Sequence, residues 1–387
     1  MSKKNVEWEW KKLGDVCEVI AGQSPKGSSY NNNEEGMEFH QGKKSFGKTI
    51  IESSGVWTSE ITKIASPEDI LISVRAPVGP VNFTDRQLCI GRGLAAIRAK
   101  HIDKKYLYLF LVYNESNMTS KTGAVFDSIS RNDIINFEIP IPPLDEQERI
   151  VKVLDDAFEK IDTIKTTVET NLQNAKDLFQ TTLKKLFREI SKDNHELLKN
   201  VAIDFSRGKS KHRPRNDKKL FGGNYPFIQT GDIRNSGKYL IEYTDTYNEF
   251  GLSQSKLWPK GTLCITIAAN IAETTILTIP CCFPDSVIGF IPNENRTTVD
   301  YVFYVLQFFK SELQILGKGA AQDNLNLATF EKMTFPFPPL PIQKQIVAKL
   351  DSLSEKVKQL ESNYKQILAN CDELKKALLK QAFEGML

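Results

Sequence analysis

Phe137-Glu-Ile-Pro-Ile-Pro-Pro-Leu-Asp-Glu-Gln147, near the middle of the chain, returns near its end as Phe335-Pro-Phe-Pro-Pro-Leu-Pro-Ile-Gln343. The continuations match too: Gln147-Glu-Arg-Ile-Val-Lys-Val-Leu-Asp155 in one copy, Gln343-Lys-Gln-Ile-Val-Ala-Lys-Leu-Asp351 in the other. Self-similarity over so long a period marks a tandem duplication. Working outward, Tyr106-Leu-Tyr-Leu-Phe-Leu111 aligns with Tyr301-Val-Phe-Tyr-Val-Leu306, and Asp69-Ile-Leu-Ile-Ser-Val-Arg-Ala76 aligns loosely with Gly261-Thr-Leu-Cys-Ile-Thr-Ile-Ala268. Each copy thus covers about half of the 387 residues. Divergence is concentrated between the copies' openings, at Leu13 and Leu197, and these shared strands.

The residues after each proline cluster predict helix. In the first copy Ile150, Leu154, Ala157, Ile161, Ile164, Val168, Leu172, Ala175 and Phe179 step by three or four, with one four-four stutter near Val168, and the pattern continues through Thr182, Leu186 and Ile190. In the second, Ile346, Leu350, Leu353, Val357, Leu360, Tyr364, Ile367, Cys371, Leu374 and Leu378 alternate four and three, the spacing of a coiled-coil seam. Each helix spans roughly 60 Å at about 1.5 Å per residue. Prolines suit the helix entry, where a missing N–H costs little. A narrow apolar stripe of this length needs a partner, and each copy offers its stripe to the other: Leu154, Ile161, Ile164 and Val168 against Leu350, Leu353, Val357, Leu360 and Ile367. The competing expectation is that each helix wraps its own domain.

Elsewhere Ile70–Val74, Leu263–Ile267, Ile276–Ile279 and Val287–Ile291 are short, β-branched and bounded by turn residues, and read as strands. The expected class is α+β: a mixed α/β domain over 1–143, a helix over 144–190, a second domain over 191–340 and a second helix over 341–387. A duplicated chain tends to place its copies about a pseudo-twofold axis, which would run the two helices antiparallel as a coiled coil.

Composition bounds the function. With 40% hydrophobic and 26% charged residues and no apolar run long enough for a bilayer, the chain reads as soluble and cytoplasmic, without membrane partner or secretory leader. Four N-x-S/T triplets, at Asn82, Asn114, Asn117 and Asn295, would matter only in a secreted protein. Six cysteines (17, 89, 264, 281, 282 and 371) lack metal-ligand spacing and read as packed reduced thiols, so no metal is expected.

Gly42-Lys-Lys-Ser-Phe-Gly-Lys-Thr49 satisfies the phosphate-loop pattern letter for letter. A working loop of that kind opens a helix, whereas Ser53-Ser-Gly55 follows here and leaves it no room. Gly91-Arg-Gly-Leu-Ala-Ala96 fits a weak dinucleotide fingerprint without a βαβ setting, and reads as a tight turn. The four histidines form no acid/base or nucleophile arrangement. Neither Asn-Pro-Pro-aromatic nor a nuclease-like Asp…Glu-x-Lys cluster stands out. No catalytic residue is expected.

The positive signal is charge. Arg207-Gly-Lys-Ser-Lys-His-Arg-Pro-Arg-Asn-Asp-Lys-Lys219 holds seven cations and one acid, in a chain whose net charge is only +3. Arg207, Lys209, Lys211, Arg213 and Arg215 are candidate phosphate or base contacts, against the alternative of a merely solvated loop. The first copy opens with Gly22-Gln-Ser-Pro-Lys-Gly-Ser-Ser-Tyr30, polar but barely charged, which offers Gln23, Ser24, Lys26, Ser28 and Tyr30. Gln41, Lys43 and Lys44 add a second cluster. Arginine and lysine suit guanine, asparagine and glutamine suit adenine. Arg75 and Arg92 are further candidates, with structural ion pairing as the alternative.

With this layout the chain resembles the specificity subunit of type I restriction–modification systems. The resemblance covers nearly the whole length and is carried by the two Pro-Pro-Leu…Gln clusters with their helices, Phe227-Ile-Gln-Thr-Gly-Asp-Ile233, Pro259-Lys-Gly-Thr-Leu263 and Gly319-Ala-Ala-Gln-Asp-Asn-Leu325. It adds Gln229, Thr230, Asp232, Gln322 and Asn324 to the candidate DNA contacts. The first copy departs from that last motif with Thr122-Gly-Ala-Val-Phe-Asp-Ser128. The resemblance implies two target recognition domains that read the halves of a split double-stranded DNA site, with a gap set by the helices. It also implies two methyltransferase subunits carrying S-adenosylmethionine, and restriction subunits using ATP and Mg, with none of these cofactors in this chain. An ATPase or fused endonuclease, or a structural coiled-coil adaptor, are the competing functions.

Overall fold

The computed structural model describes residues 8–115, 118, 128–318, 325, 327–330 and 332–387. These divide into two compact units, one formed by Met1–Glu169 with Lys365–Leu387, the other by Thr170–Tyr364. Each unit therefore takes a globular domain, one end of the first long helix and the opposite end of the second. Among the described residues no helix is long and apolar enough to cross a membrane.

In the first unit a four-stranded antiparallel sheet runs in the order Cys17–Ala21, Leu94–Ala99, Ile70–Ser73, Val81–Phe83. Ile70, Leu71, Ile72 and Leu94–Ile97 are buried on both faces, which is why they read as continuous apolar runs rather than alternating ones. A second, mixed sheet follows the order Tyr30–Asn31, Trp57–Thr58, Met37–His40, Leu88–Ile90, Ile64–Ala65, with Met37–His40 parallel to Leu88–Ile90. Helix Lys104–Tyr113 is capped by Asp103, whose carboxylate accepts from the Lys105 and Tyr106 amides. That helix buries Tyr106, Leu107 and Phe110 in the domain core.

The second unit repeats the plan. Its antiparallel sheet runs Ala202–Arg207, Val287–Pro292, Leu263–Thr266, Thr274–Ile276, and its mixed sheet Asp245–Tyr247, Phe221–Phe227, Cys281–Cys282, Leu257–Trp258. Phe221–Phe227 pairs parallel with Cys281–Cys282, as Met37–His40 does with Leu88–Ile90. The strand expected at Ile276–Ile279 lies instead at Thr274–Ile276. Pro280 has no N–H for a ladder, and the Thr278 hydroxyl turns to the Leu240 carbonyl at 2.7 Å. All six cysteines are buried thiols, and burial pushes Cys17 and Cys281 up to about 12, far from a reactive thiolate.

The repeated sequence has a repeated job. The buried Gln147 side chain accepts from the Asp103 amide at 2.9 Å and donates to the Pro142 carbonyl at 2.8 Å. Gln343 accepts from Thr297 Oγ1 at 2.8 Å and donates to the Arg296 and Pro338 carbonyls at 2.9 and 2.8 Å. The Tyr106 and Tyr301 hydroxyls donate to the Pro140 and Pro336 carbonyls, each at 2.9 Å. Prolines cannot satisfy their neighbours' carbonyls through their own N–H, so these side chains do it and fix the angle at which each helix leaves its domain. Replacing Gln343 with the near-isosteric Met strands the buried Pro338 carbonyl and Thr297 hydroxyl and the half-buried Arg296 carbonyl. The expected loss is about 1–3 kcal/mol, read as a shifted midpoint in urea at unchanged slope.

The long helices run Leu144–Arg188 and Leu340–Phe383. In the first unit Asp162 pairs with Lys375 and Lys165 with Asp372, the latter at 2.5 Å, so advance along one helix matches retreat along the other and the segments are antiparallel. In the second unit Lys176 lies 3.8 Å from Glu361. Both helix ends enter the domain cores: Ile150 and Leu154 pack with Leu379, Ala382 and Phe383 in the first, Leu183 and Phe187 with Ile346 and Leu350 in the second. Within each unit the two helix segments thus meet through ion pairs and also pack into the core of their domain.

The expected seam needs revision. Leu154, Ile161, Val168 and Leu350 are buried, Leu353 and Val357 half-buried, but Ile164, Leu360 and Ile367 are 46%, 38% and 37% exposed. An α-helix turns every 3.6 residues rather than 3.5, so a fixed heptad drifts off the contact face. Beyond the stutter the buried positions have moved by one, to Leu183 and Phe187 in place of Thr182 and Leu186, and Cys371 is buried where Ile367 is not.

Candidate nucleic-acid interface

In the first domain three loops meet at one end of the two sheets. The Gly22 amide donates to the Leu94 carbonyl at 3.0 Å, the Gln23 amide to Ile90 at 2.9 Å, and the Gly91 amide to His40 at 2.8 Å. A Cβ on Gly22 would sit 2.2 Å from the Gly91 carbonyl oxygen, and one on Gly93 equally close to that of Gln41. Only glycine lets these backbones approach so closely. The result gathers Gln23, Ser24, Gln41 and Arg92: the Ser24 hydroxyl donates to Gln41 Oε1 at 2.9 Å and accepts from the Arg92 amide at 3.2 Å. Val74 donates to the Gly93 carbonyl, which brings exposed Arg75 alongside. Among the described residues no carboxylate forms an ion pair with Arg75 or Arg92, and both side chains are exposed. Lys26 and Ser28 are exposed, whereas Tyr30 stacks on Phe39 at 4.9 Å and donates its hydroxyl to Pro25.

The adjoining turn carries Lys43 and Lys44, both exposed. Gly42–Thr49 is not a phosphate loop: a single 3-10 turn over Lys43–Ser45 and a bridge from Phe46 to Ile51 occupy it, and no helix starts there. A buried polar network anchors the turn from below. His40 Nδ1 lies 2.7 Å from Ser45 Oγ, and Glu38 accepts from the Ser53 hydroxyl, the Ser54 amide and Arg86 Nε at 2.8, 2.7 and 2.8 Å. Burial alone would raise the Glu38 carboxyl, but the hydrogen bonds from Arg86, Ser53 and Ser54, with His40 near, outweigh it and hold it at about 2. Burial, which disfavours the imidazolium, outweighs the pull of Glu38 and lowers His40 to about 4.

Both groups bind fewer protons folded than unfolded, so their contribution is complete above the unfolded histidine pKa and falls away in acid. Between pH 6.5 and 4, His40 alone accounts for about 3 kcal/mol. The first unit is expected to lose roughly 5–10 °C of thermal midpoint between pH 7 and 4.5, and His40→Gln to remove most of that dependence. A wild-type midpoint flat across this range would refute the assignment.

The second domain builds the equivalent corner differently. Gly208 takes the place of Gly22: its amide donates to the Val287 carbonyl at 2.8 Å, and a Cβ would lie 2.4 Å from the Phe283 and Pro284 carbonyl oxygens. The basic loop is tied to the domain along its length. The Lys211 amide donates to Gln254 at 3.1 Å, Ser255 Oγ to the Lys209 carbonyl at 3.0 Å, and His212 Nε2 lies 2.9 Å from Asp217 Oδ2. Arg207 Nε donates to the Asp285 carbonyl at 2.7 Å and Arg215 Nη2 to its carboxylate at 2.7 Å, with Arg213 Nη2 3.6 Å away. Lys209 and Lys211 are exposed and have no carboxylate partner among the described residues.

Asp285 escaped the sequence reading because it lies far from the loop along the chain. Gln229, Thr230 and Asp232 prove to be a helix start. Asp232 accepts from the Gln229 amide at 2.8 Å and from Thr244 Oγ1 at 3.2 Å, while Gln229 Nε2 reaches Asp245 at 3.1 Å. Both carboxylate oxygens of Asp232 are engaged inside the domain. Gln322 and Asn324 lie outside the described residues. Among those described, no group of three or more His, Cys, Asp or Glu is placed to hold a metal ion.

Two copies of one α/β domain, alternating with long helices and each gathering polar loops at one end of its sheets, define a duplicated, helix-spaced binding architecture. The chain belongs to the type I restriction modification DNA specificity domain family, which matches residues 5–174 and 203–369. It is 41% identical over 175 residues to a putative type I restriction enzyme MjaX specificity subunit of Methanocaldococcus jannaschii, a match covering 44% of this chain and 41% of that protein. The type I restriction enzyme EcoR124I/EcoR124II specificity subunit of Escherichia coli is 28% identical over 46% of this chain and 47% of its own length. These matches span about half the length of each relative. The MjaVIII specificity subunit of M. jannaschii aligns over 98% of this chain and 92% of its own, at 23% identity. In fold, the chain is similar to the crystal structure of the HsdS subunit from Thermoanaerobacter tengcongensis, with TM-score 0.65 and 20% identity over 98% of this chain and 97% of that one. A structure from a study of complex assembly and conformational transition in the type I R-M system aligns with TM-score 0.78 and 21% identity over 98% of both chains.

Proposed function

We propose that this chain is the sequence-reading subunit of a type I restriction–modification complex, binding double-stranded DNA with one corner of each domain while the paired helices set the gap between half-sites. The observation that carries this reading is the reuse of one topological corner for two unlike loop sets. The first combines Gln23, Gln41, Lys43, Lys44, Arg75 and Arg92, and the second combines Arg207, Lys209, Lys211, Arg213 and Arg215. Amide and guanidinium groups are the side chains that discriminate adenine and guanine in the major groove. The scaffold is the same and the readers differ, as two different half-sites require.

Methylation and cleavage would then come from partners: methyltransferase subunits with S-adenosylmethionine, and restriction subunits with ATP and Mg. This chain would supply no catalytic group. Two readers on a spacer tens of Å long address sites about one helical turn, ~34 Å, apart. Methylome sequencing of cells expressing the chain with its methyltransferase should return one bipartite motif with a fixed gap. A continuous motif would overturn the reading, and so would ATP or DNA turnover by the pure chain.

A further inference from the structure

The turn after Leu88–Ile90 in the first domain, Gly91-Arg92-Gly93, and the turn after Cys281–Cys282 in the second, Phe283-Pro284-Asp285-Ser286, occupy the same place. Each links the parallel-paired strand of the mixed sheet to the central strand of the antiparallel sheet. Each also receives the close-packed glycine of its domain's opening, Gly22 or Gly208. At that shared place one domain carries a cation, Arg92, and the other an anion, Asp285. The anion is not isolated: its backbone carbonyl holds Arg207, and its carboxylate holds Arg215 and lies 3.6 Å from Arg213.

We infer that Asp285 is the specificity-determining positioning residue of the second half-site: it turns a cluster of arginines from a loose phosphate grip into a fixed reader. The inference rests on the DNA-reading function proposed above. Three guanidinium groups brought together repel one another, and each long side chain is free to sample many rotamers, an entropy lost on binding. The Asp285 carboxylate beside Arg213 and Arg215 offsets the repulsion and orders these two before DNA arrives, while the Asp285 backbone carbonyl holds Arg207 next to them. An arginine tethered through one nitrogen still has donors to present, and a guanine edge is recognised by two such donors held in one plane. The carboxylate also removes one unit of positive charge from the corner, which lowers the sequence-independent attraction to phosphate. Order gained and charge removed both favour discrimination over bare affinity.

The first half-site supplies an internal control, because nothing in its corner involves Asp285. The full chain is mixed with a pool of random-sequence duplexes, and the bound fraction is sequenced for wild type and for the isosteric Asp285→Asn. Wild type is expected to return two separated motifs. Asp285→Asn should keep one motif intact and blur the other, with about tenfold loss of preference at one or more of its positions. On random duplex its binding should grow more salt-sensitive, the slope of log K against log salt steepening by about 1. If both motifs stay sharp in the variant, the inference fails. Uniform weakening of the second motif with an unchanged salt slope would also overturn it, because that is what a purely structural role produces. If wild type itself yields no bipartite motif, the failure belongs to the proposed function instead. Should Asp285→Asn lower the thermal midpoint of the chain, Arg215→Gln decides: it leaves Asp285 in place, and a second motif left sharp by it overturns the inference.

Discussion

Neutralising Arg207, Lys209, Lys211, Arg213 and Arg215 together is expected to weaken duplex binding on the order of 10²–10³-fold at 0.1 M salt and to flatten its salt dependence. Each cation that contacts a phosphate releases condensed counterions, and log K falls with log salt by about 0.9 per contact. Five independent contacts would change the slope by about 4 to 5. The structure lowers that figure, since Arg213 and Arg215 face the Asp285 carboxylate and Arg207 is held by its backbone carbonyl, whereas Lys209 and Lys211 form no ion pair among the described residues. The expected flattening is therefore about 2 to 4. Lys209 and Lys211 should account for most of it, and the arginines for more of the sequence preference. Filter binding across a salt series, on random duplex and on the identified target, separates the two contributions. Unaltered affinity and slope would show that the loop faces only solvent.

What could be read from the chain alone, and what could not, follows from how far each interaction reaches along the sequence. The duplication, the two helices and the central strands are local patterns: Pro-Pro-Leu…Gln, apolar residues stepping by three and four, and β-branched runs such as Ile70–Ser73. The buried Gln147 and Gln343 stood inside the repeated motif, but their partners at Asp103, Arg296 and Thr297 come from elsewhere in each copy. A regular heptad suggested that Ile164, Leu360 and Ile367 would be covered, and drift of a real helix left them on the rim. Asp285 needed the topology, which alone lays the turn before Val287–Pro292 against the loop after Ala202–Arg207. Asp232, a motif residue, serves the backbone: at the third helical position its carboxylate reaches back to the Gln229 amide, as in a capping box.

Removing one heptad from each long helix should shorten the recognised gap and leave both half-sites unchanged. The deletion can be placed between the ion pairs Lys165–Asp372 and Lys176–Glu361, which the two helices reach after the same number of residues, so both anchors survive. Seven residues correspond to about 10.5 Å of helix at ~1.5 Å each, or about three base pairs at ~3.4 Å per step. Because seven residues are close to two full turns, the apolar faces stay in register, with a residual rotation of only about 20°. The ends of both helices lie in the domain cores, with Ile150, Leu154 and Phe383 in one and Leu183, Phe187 and Leu350 in the other, so neither reader is disturbed by a cut at mid-helix. Deleting two residues from each helix is the necessary contrast. It turns one face away from its partner by about 200° at ~100° per residue, and should abolish bipartite binding rather than offer a new gap. Methylome sequencing reads both outcomes. A heptad deletion that changes the half-site bases while preserving the gap would mean that the helices do not measure distance, and that spacing is set instead by the partners or by the DNA.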